Sequence, residues 1–329
     1  MPDPLGVAII GCGLIGLKRA SALGDCSLVI CCDTIRDRAE KLAGRFPGAE
    51  AGTDWRAAVN HPAVDIVIVA TTHNQLACVA ETAARAGKHV LIEKPGARRP
   101  HELDPVLREA ERTGARVRVG FNHRYHRALQ EAHKILSSGA LGELMYVRGR
   151  YGHGGRPGYD REWRADPEIS GGGELLDQGV HLIDLARWFI GDFQDVTGHI
   201  ATYFWDMPVE DNAFLLLRTA EGRTAFLHAT WTEWKNTFSL EISGRVGKLE
   251  ITGLGGSYGT EKLAFYKMLP AMGPPETTIW EYPMPDDSWT LEFAEFLEDI
   301  RLQREPVPGI RDAQAALRVI ERVYEEASL

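Results

Sequence analysis

Asp177 and His181 stand four residues apart in the segment Gly171-Gly172-Gly173-Glu174-Leu175-Leu176-Asp177-Gln178-Gly179-Val180-His181, which opens on three glycines and continues in a helical pattern. Residues at that spacing share one helix face, so a carboxylate and an imidazole come within hydrogen-bonding reach. Histidine takes up and releases protons near neutral pH, and a neighbouring carboxylate fixes its tautomer and stabilises its cation. The pair has the form of proton-transfer machinery. Two other readings stay open: a helix histidine satisfied by a local group, and Asp184, three residues beyond His181, as the partner carboxylate.

A fixed cation comes from Leu91-Ile92-Glu93-Lys94-Pro95, where an apolar run ends in Glu-Lys-Pro. Alone, that tripeptide reads as a surface charge pair before a turn-forming proline. Its place downstream of a dinucleotide fingerprint gives it weight. Gly6-Val7-Ala8-Ile9-Ile10 suits a strand buried on both faces, and Gly11-Cys12-Gly13-Leu14-Ile15-Gly16 follows at once, leading into a helical stretch through Ala22. In that context Gly11 makes the tight turn, Gly13 lets backbone approach a pyrophosphate, Gly16 allows close helix–strand packing, and the helix N-terminus at Leu14 and Ile15 faces the phosphates. Asp33, about twenty residues on, closes the next strand, where a carboxylate accepts hydrogen bonds from the adenosine ribose. This favours NAD over NADP, with Arg36 and Arg38 as the nearest cations for a 2′-phosphate. The alternative for Asp33 is a helix N-cap, in competition with Thr34.

Between Asn122 and Arg164 lie side chains suited to a substrate. Asn122, Arg124, Tyr125 and His126 sit where the chain leaves the first domain, as crevice residues or as interface packing. Tyr151 to Arg164 is a glycine-broken loop carrying Arg156, Arg161, Trp163 and Arg164. Arginines bind carboxylate or phosphate in two-pronged fashion and aromatic faces stack on rings, which suits a uronic acid or a nucleotide-linked sugar. A solvated loop of Arg-Asp and Arg-Glu pairs is the competing account.

The elements that must position these groups divide in two. Through the first 120 residues apolar strands and helices alternate as in a doubly wound sheet: a strand over 65–70, a helix over 76–86, a strand over 89–92, a helix over 103–113 and a strand over 116–120. From Met145 onward apolar residues alternate singly, as in 213–217, 224–230 and 238–242, which predicts an antiparallel sheet with one covered face. Helices over 288–303 and 311–327 close the chain. The fold class is α/β: a dinucleotide-binding domain over 1–121, then an α+β domain over 122–329 for substrate and assembly, whose last helix can pack back on the first.

At 329 residues with a formal charge of −9, the chain has no general attraction for nucleic acid or anionic membrane. No apolar run approaches the ~20 residues of a membrane span and no signal peptide opens the sequence. Cys12, Cys26, Cys31, Cys32 and Cys78 lack metal-ligand spacing and read as small residues in a reducing cytoplasm, so no metal is expected.

Taken together, Gly11-x-Gly13-x-x-Gly16, Glu93-Lys94-Pro95 and the glycine-rich approach to Asp177 and His181 resemble the glucose-fructose oxidoreductase, inositol dehydrogenase and rhizopine-catabolism (Gfo/Idh/MocA) family of NAD(P)-dependent oxidoreductases. The resemblance implies a Rossmann domain, a second domain on a large, mostly antiparallel open-faced sheet, and homodimers or homotetramers that assemble through that face. It implies catalytic roles for Lys94, Asp177 and His181, with Glu93 and Lys94 also at the cofactor. Family members often carry Thr-Pro-Asn-x-x-His where this chain reads Thr72-His73-Asn74-Gln75-Leu76-Ala77. Thr71, Thr72 and Asn74 keep a cofactor-contact role, and His73, in the place of the proline, is either part of that contact or a solvent-facing loop residue. The implied reaction oxidises a secondary hydroxyl of a sugar, cyclitol or nucleotide-linked sugar, with His181 or Lys94 as base. Rival readings are an NAD-dependent glycosidase working by transient oxidation, and a non-catalytic dinucleotide-sensing regulator.

Overall fold

The computed structural model describes residues 4–327, which contacts group into two units. The first comprises the chain through Phe121 together with Glu168–Gly171 and Trp289–Gln314; the second holds the remainder.

In the first unit six strands form a sheet: β1 (Gly6–Ile10), β2 (Ser27–Cys32), β3 (Glu50–Gly52), β4 (Ile66–Val69), β5 (His89–Glu93) and β6 (Val117–Gly120). Their order is β3-β2-β1-β4-β5-β6 and every pairing is parallel. Helices α1 (Leu14–Ala20), α2 (Arg36–Ala43), α3 (Trp55–Val59), α4 (His73–Arg85) and α5 (Asp104–Thr113) supply the crossovers. This is the doubly wound arrangement, in which ligands sit beyond the carboxyl ends of the strands where the order reverses, here between β1 and β4. The sequence places residues 73–75 in a loop, whereas α4 begins at His73, after an extended Thr72.

One charge cluster threads this unit. Arg19 of α1 is almost fully buried, with Nε donating to Glu93 at 2.5 Å and Nη1 donating to Glu292 at 2.5 Å. Its guanidinium also lies over the Trp289 ring, 4.4 Å from the centroid. Burial works against the Arg19 charge, but the two carboxylates outweigh it. Burial likewise pushes the Glu292 carboxyl above its ordinary value in spite of the arginine. Glu93, immediately before Lys94, is thereby tied to the end of α1.

The second unit is built on eight strands: β7 (Leu144–Gly152), β8 (Phe193–Ala201), β9 (Asn212–Thr219), β10 (Thr224–Thr230), β11 (Thr237–Gly244), β12 (Gly247–Thr252), β13 (Glu261–Lys267) and β14 (Glu276–Tyr282), in the order β14-β13-β12-β11-β7-β10-β9-β8. Only β7 and β10 pair in parallel. The expected alternation holds. Ala213, Leu215, Leu217, Ala225, Leu227, Leu240 and Ile242 are buried, while Leu216, Phe226 and Ile279 are exposed on the opposite face. The covered face packs against α6 (Arg127–Ser137) and α8 (Val180–Ile190). The short α7 (Pro167–Ser170) and the closing helices α9 (Ser288–Leu302) and α10 (Ile310–Ala327) complete the chain. Among the described residues no helix is long and apolar enough to cross a membrane.

Replacing Arg19 by Met leaves two carboxylates facing an apolar gap, an arrangement that costs about 3 to 5 kcal/mol. Because the penalty exists only while those carboxyls are ionised in the fold, it is absent below about pH 4 and grows as pH rises. Urea unfolding of wild type and Arg19→Met at pH 4 and pH 8 checks both the size and the direction.

Candidate functional site

Within the first unit the glycine loop lies at the carboxyl end of β1. Gly11 takes φ +97, and a side chain there would drive into the carbonyl oxygen of Ala70 at 2.3 Å. A Cβ at Gly16 would come within 2.0 Å of the Gly11 carbonyl oxygen, so helix and loop are packed backbone to backbone. A Cβ at Gly13, by contrast, would meet nothing within 4 Å. The middle glycine faces open space, which is what a pyrophosphate approaching bare backbone requires.

Asp33 follows β2. Its Oδ2 accepts from the Cys12 N–H at 2.8 Å and its Oδ1 from the Ile35 N–H at 2.8 Å. The residue flanking the start of α2 is Ile35, so Asp33 is not the helix cap that the sequence allows; it braces the glycine loop. Thr72 precedes α4, and its hydroxyl donates to Asn74 Oδ1 at 2.8 Å. His73 is buried rather than solvent-facing, and its Nδ1 lies 2.8 Å from the Ser170 carbonyl oxygen. Because a carbonyl only accepts, that nitrogen carries the proton. Lys94, half-buried at the end of β5, precedes Pro95 through a cis peptide.

In the second unit the Asp177 segment is not plain α-helix. Leu175–Gly179 forms a π-helical turn that runs directly into α8. Such turns are rare and concentrate at functional sites. What holds this one is Glu210, a residue without any distinguishing sequence motif. Its buried carboxylate accepts from the Gly173 N–H at 3.1 Å, the Leu175 N–H at 3.0 Å and the Tyr324 hydroxyl at 2.8 Å. Burial pushes this carboxyl upward and those donors oppose the shift. The glycines earn their place by proximity: a Cβ at Gly172 would lie 2.0 Å from the Tyr324 hydroxyl oxygen, and one at Gly173 2.0 Å from the Glu210 carbonyl oxygen.

The turn delivers two buried groups, Asp177 and His181. Asp177 Oδ2 accepts from Arg164 Nε at 3.0 Å. Asp184 is engaged elsewhere: Arg124 donates to both of its oxygens, at 2.8 and 2.6 Å, and this places Arg124 in a buried ion pair. The imidazole of His181 stacks on that of His123, with centroids 3.6 Å apart and planes 18° from parallel. Tyr151 presents its edge to both rings, 5.2 Å from His123 and 6.4 Å from His181. Burial raises the Tyr151 phenol well above its ordinary value and pushes Tyr258, 5.0 Å away, up to about 12. Both phenols therefore stay protonated near neutral pH.

Asn122 donates to the Ser288 hydroxyl at 3.0 Å, and Tyr125 is buried. His126 Nδ1 lies 3.0 Å from Glu261. In the glycine-broken loop, Arg156 reaches Glu162 at 2.5 Å, Arg164 lies over the Trp163 ring, and Arg161 is 87% exposed with Asp160 at 4.0 Å. The loop arginines are thus paired largely with the chain's own carboxylates. Among the described residues no group of His, Cys, Asp and Glu could hold a metal ion. Sequence reasoning missed His123, Glu210 and Tyr258; the only signal for His123 was its place between Asn122 and Arg124.

Gly173→Ala forces a methyl against the backbone of Glu210, which has no rotamer with which to yield. The expected cost is about 1 to 3 kcal/mol, read as a lower urea midpoint at unchanged slope.

Comparison with known proteins follows the two units. The family model described as oxidoreductase family, NAD-binding Rossmann fold, matches residues 5–121, and that of the GFO/IDH/MocA C-terminal domain matches residues 129–250. Levoglucosan dehydrogenase of Pseudarthrobacter phenanthrenivorans is 29% identical over 66% of this chain and 59% of its own length. Inositol 2-dehydrogenase 2 of Saccharopolyspora erythraea is 31% identical over 66% of this chain and 64% of its own length. These two alignments span less than two thirds of each relative. The scyllo-inositol 2-dehydrogenase (NAD(+)) of Bacillus subtilis aligns over 97% of this chain and 93% of its own at 24% identity. A solved structure of levoglucosan dehydrogenase in complex with NADH and L-sorbose superposes with a TM-score of 0.89 over 99% of this chain and 97% of that one, at 24% identity, which shows a shared fold. With both of its units matched by models of one family, in the order and with the motifs that the sequence presents, the chain belongs to the Gfo/Idh/MocA family of oxidoreductases.

Proposed function

We propose that the chain is an NAD-dependent dehydrogenase or reductase that moves hydride between nicotinamide and a secondary hydroxyl of a sugar, cyclitol or nucleotide-linked sugar. The observation that carries the reading is His181: a buried imidazole at the start of α8, four residues after Asp177, in a chain whose first unit offers an open glycine loop braced by Asp33. Gly11, Gly13, Leu14, Ile15 and Gly16 hold the pyrophosphate, Asp33 the adenosine ribose, and Thr71, Thr72, His73, Asn74, Glu93 and Lys94 flank the remainder. Bound NAD supplies the hydride acceptor.

His181 takes the hydroxyl proton as the carbon is oxidised and returns one in the reverse direction. Lys94 stabilises the negative charge developing on the substrate oxygen, where a fixed cation in a partly dry site acts best. Asp177 restrains the π-helical turn through Arg164 and favours the cationic form of His181 by its charge. Asn122 and Tyr125 contribute to the substrate side. Because Arg124, Arg156 and Arg164 already face Asp184, Glu162 and Asp177, an uncharged polyol suits the second unit better than a free uronate. The five free thiols suit a reducing cytoplasm, and the open sheet face suits assembly with further copies of the chain.

The screening experiment mixes protein and NAD with levoglucosan, myo- and scyllo-inositol, glucuronate and a nucleotide sugar, and reads NADH fluorescence. Turnover with an inositol or an uncharged sugar supports the reading; no NADH with any compound refutes it. On the substrate found, His181→Ala and Lys94→Ala each lower kcat by about 100-fold or more, with unfolding midpoint and NAD affinity retained.

Because Asp33 puts a negative charge where a 2′-phosphate would lie, NAD binds more tightly than NADP and Asp33→Ser narrows the difference. Fluorescence titration with both reduced cofactors measures it, and a wild-type preference for NADPH would refute the assignment.

A further inference from the structure

We propose that His123 is a positioning residue for the proton-transfer step, its ring acting as the shelf that sets the plane of the His181 imidazole. The inference rests on the role proposed for His181 and adds a residue that no motif marked.

Two observations carry it. The first is the stack: centroids 3.6 Å apart and planes 18° from parallel leave the His181 ring little room to rotate toward His123. The second is that the shelf is itself secured. Asn122 Nδ2 donates to the Ser288 hydroxyl, which turns Oδ1 of the same amide toward His123 Nδ1, 3.3 Å away. An amide oxygen only accepts, so Nδ1 carries the proton and the neutral ring takes a single tautomer. Around its edge His123 meets Tyr151 at 5.2 Å, His126 at 5.5 Å and Phe238 at 6.3 Å, all in edge-on geometry. His126 is in turn held by Glu261. The shelf thus belongs to a packed aromatic group rather than to a free loop.

The charge argument points the same way. Two imidazolium cations face to face at this distance, in a buried site, would repel each other strongly. The stacked pair therefore takes up one added proton at most. With His123 neutral, that proton is the one leaving the substrate hydroxyl: the O–H bond breaks, a ring nitrogen of His181 gains the proton, and the face of His123 lies against the new cation. Other charged or titratable groups around the pair include Glu174 and Asp177, the phenols of Tyr151 and Tyr258, and the His126–Glu261 pair. Both phenols remain neutral.

A flat ring at position 123 is what the role requires, and the imidazole's own protons are not. In His123→Ala and His123→Leu kcat falls about 10- to 100-fold with KM changed less than about threefold, the scale expected when a reacting group is displaced by an ångström or less. His123→Phe recovers most of the turnover, which a merely space-filling role would not grant to Phe while denying it to Leu. A cofactor-free readout accompanies this: in histidine-labelled protein, the His181 ring proton resonance is moved upfield by the stacked ring, stays upfield in His123→Phe and relaxes downfield in His123→Leu. An unshifted His181 resonance in wild type, or full turnover in His123→Leu, overturns the proposal. If His181→Ala retains turnover, the base assignment beneath it falls instead; if His181→Ala loses turnover while His123→Leu does not, only the shelf is wrong.

Discussion

Glu210 is a carboxylate taken out of water and answered by neutral donors, the N–H groups of Gly173 and Leu175 and the hydroxyl of Tyr324. The turn that carries Asp177 and leads to His181 depends on that contact. Burying a charge without hydrogen bonds costs several kcal/mol, so the donors cannot drift away without a large penalty. The penalty is what gives the contact its precision. It fixes the backbone two residues before Asp177 and starts the π-helical turn that ends where α8 begins. Side chains at positions 172 and 173 would collide with Tyr324 and Glu210, so the glycine run serves close packing on a buried anion.

From there the site becomes a matter of which charge answers which. Three carboxylates lie near His181 in sequence, at 174, 177 and 184, and the helix spacing alone does not choose among them. The fold chooses by giving Arg124 to Asp184 in a two-pronged pair and Arg164 to Asp177 through a single nitrogen. Arg124 and Asp184 neutralise each other in the interior, and Asp177 is met by Arg164 instead. In the first unit Glu93, the residue before Lys94, is committed to Arg19 in the same way. Glu93 and Asp184, each close in sequence to a motif residue, are thereby committed to buried ion pairs.

The stacking of His123 on His181 adds a constraint of another kind. An imidazole joined to its helix by two rotatable bonds can point a nitrogen in many directions, and hydrogen bonds restrain it only along their own axes. A ring face restrains the plane. Proton transfer is sensitive to that plane because donor, proton and acceptor must align, and the aromatic group of Tyr151, His126 and Phe238 makes the restraint stiff.

What the sequence determined by itself was everything written in local pattern. The strand, glycine turn and helix from Gly6 to Ala20, the acidic end of β2 and the alternation along β9 to β11 follow from sterics and from which side of each strand faces water; those are decided within a few residues and can be read there. Lys94, Asp177 and His181 were singled out by motif and spacing, which are likewise local. Tertiary structure alone decided the partners. Glu210 lies over thirty residues from the turn it holds, His123 nearly sixty from the ring it supports, and Arg164 could have met any of several carboxylates. His73 passed from loop to buried helix start because the carbonyl of Ser170, distant in sequence, met its ring. Contacts of this kind are set by how sheets and helices pack, and desolvation makes each one nearly obligatory once the packing exists, though nothing in the spacing of the residues announces it beforehand.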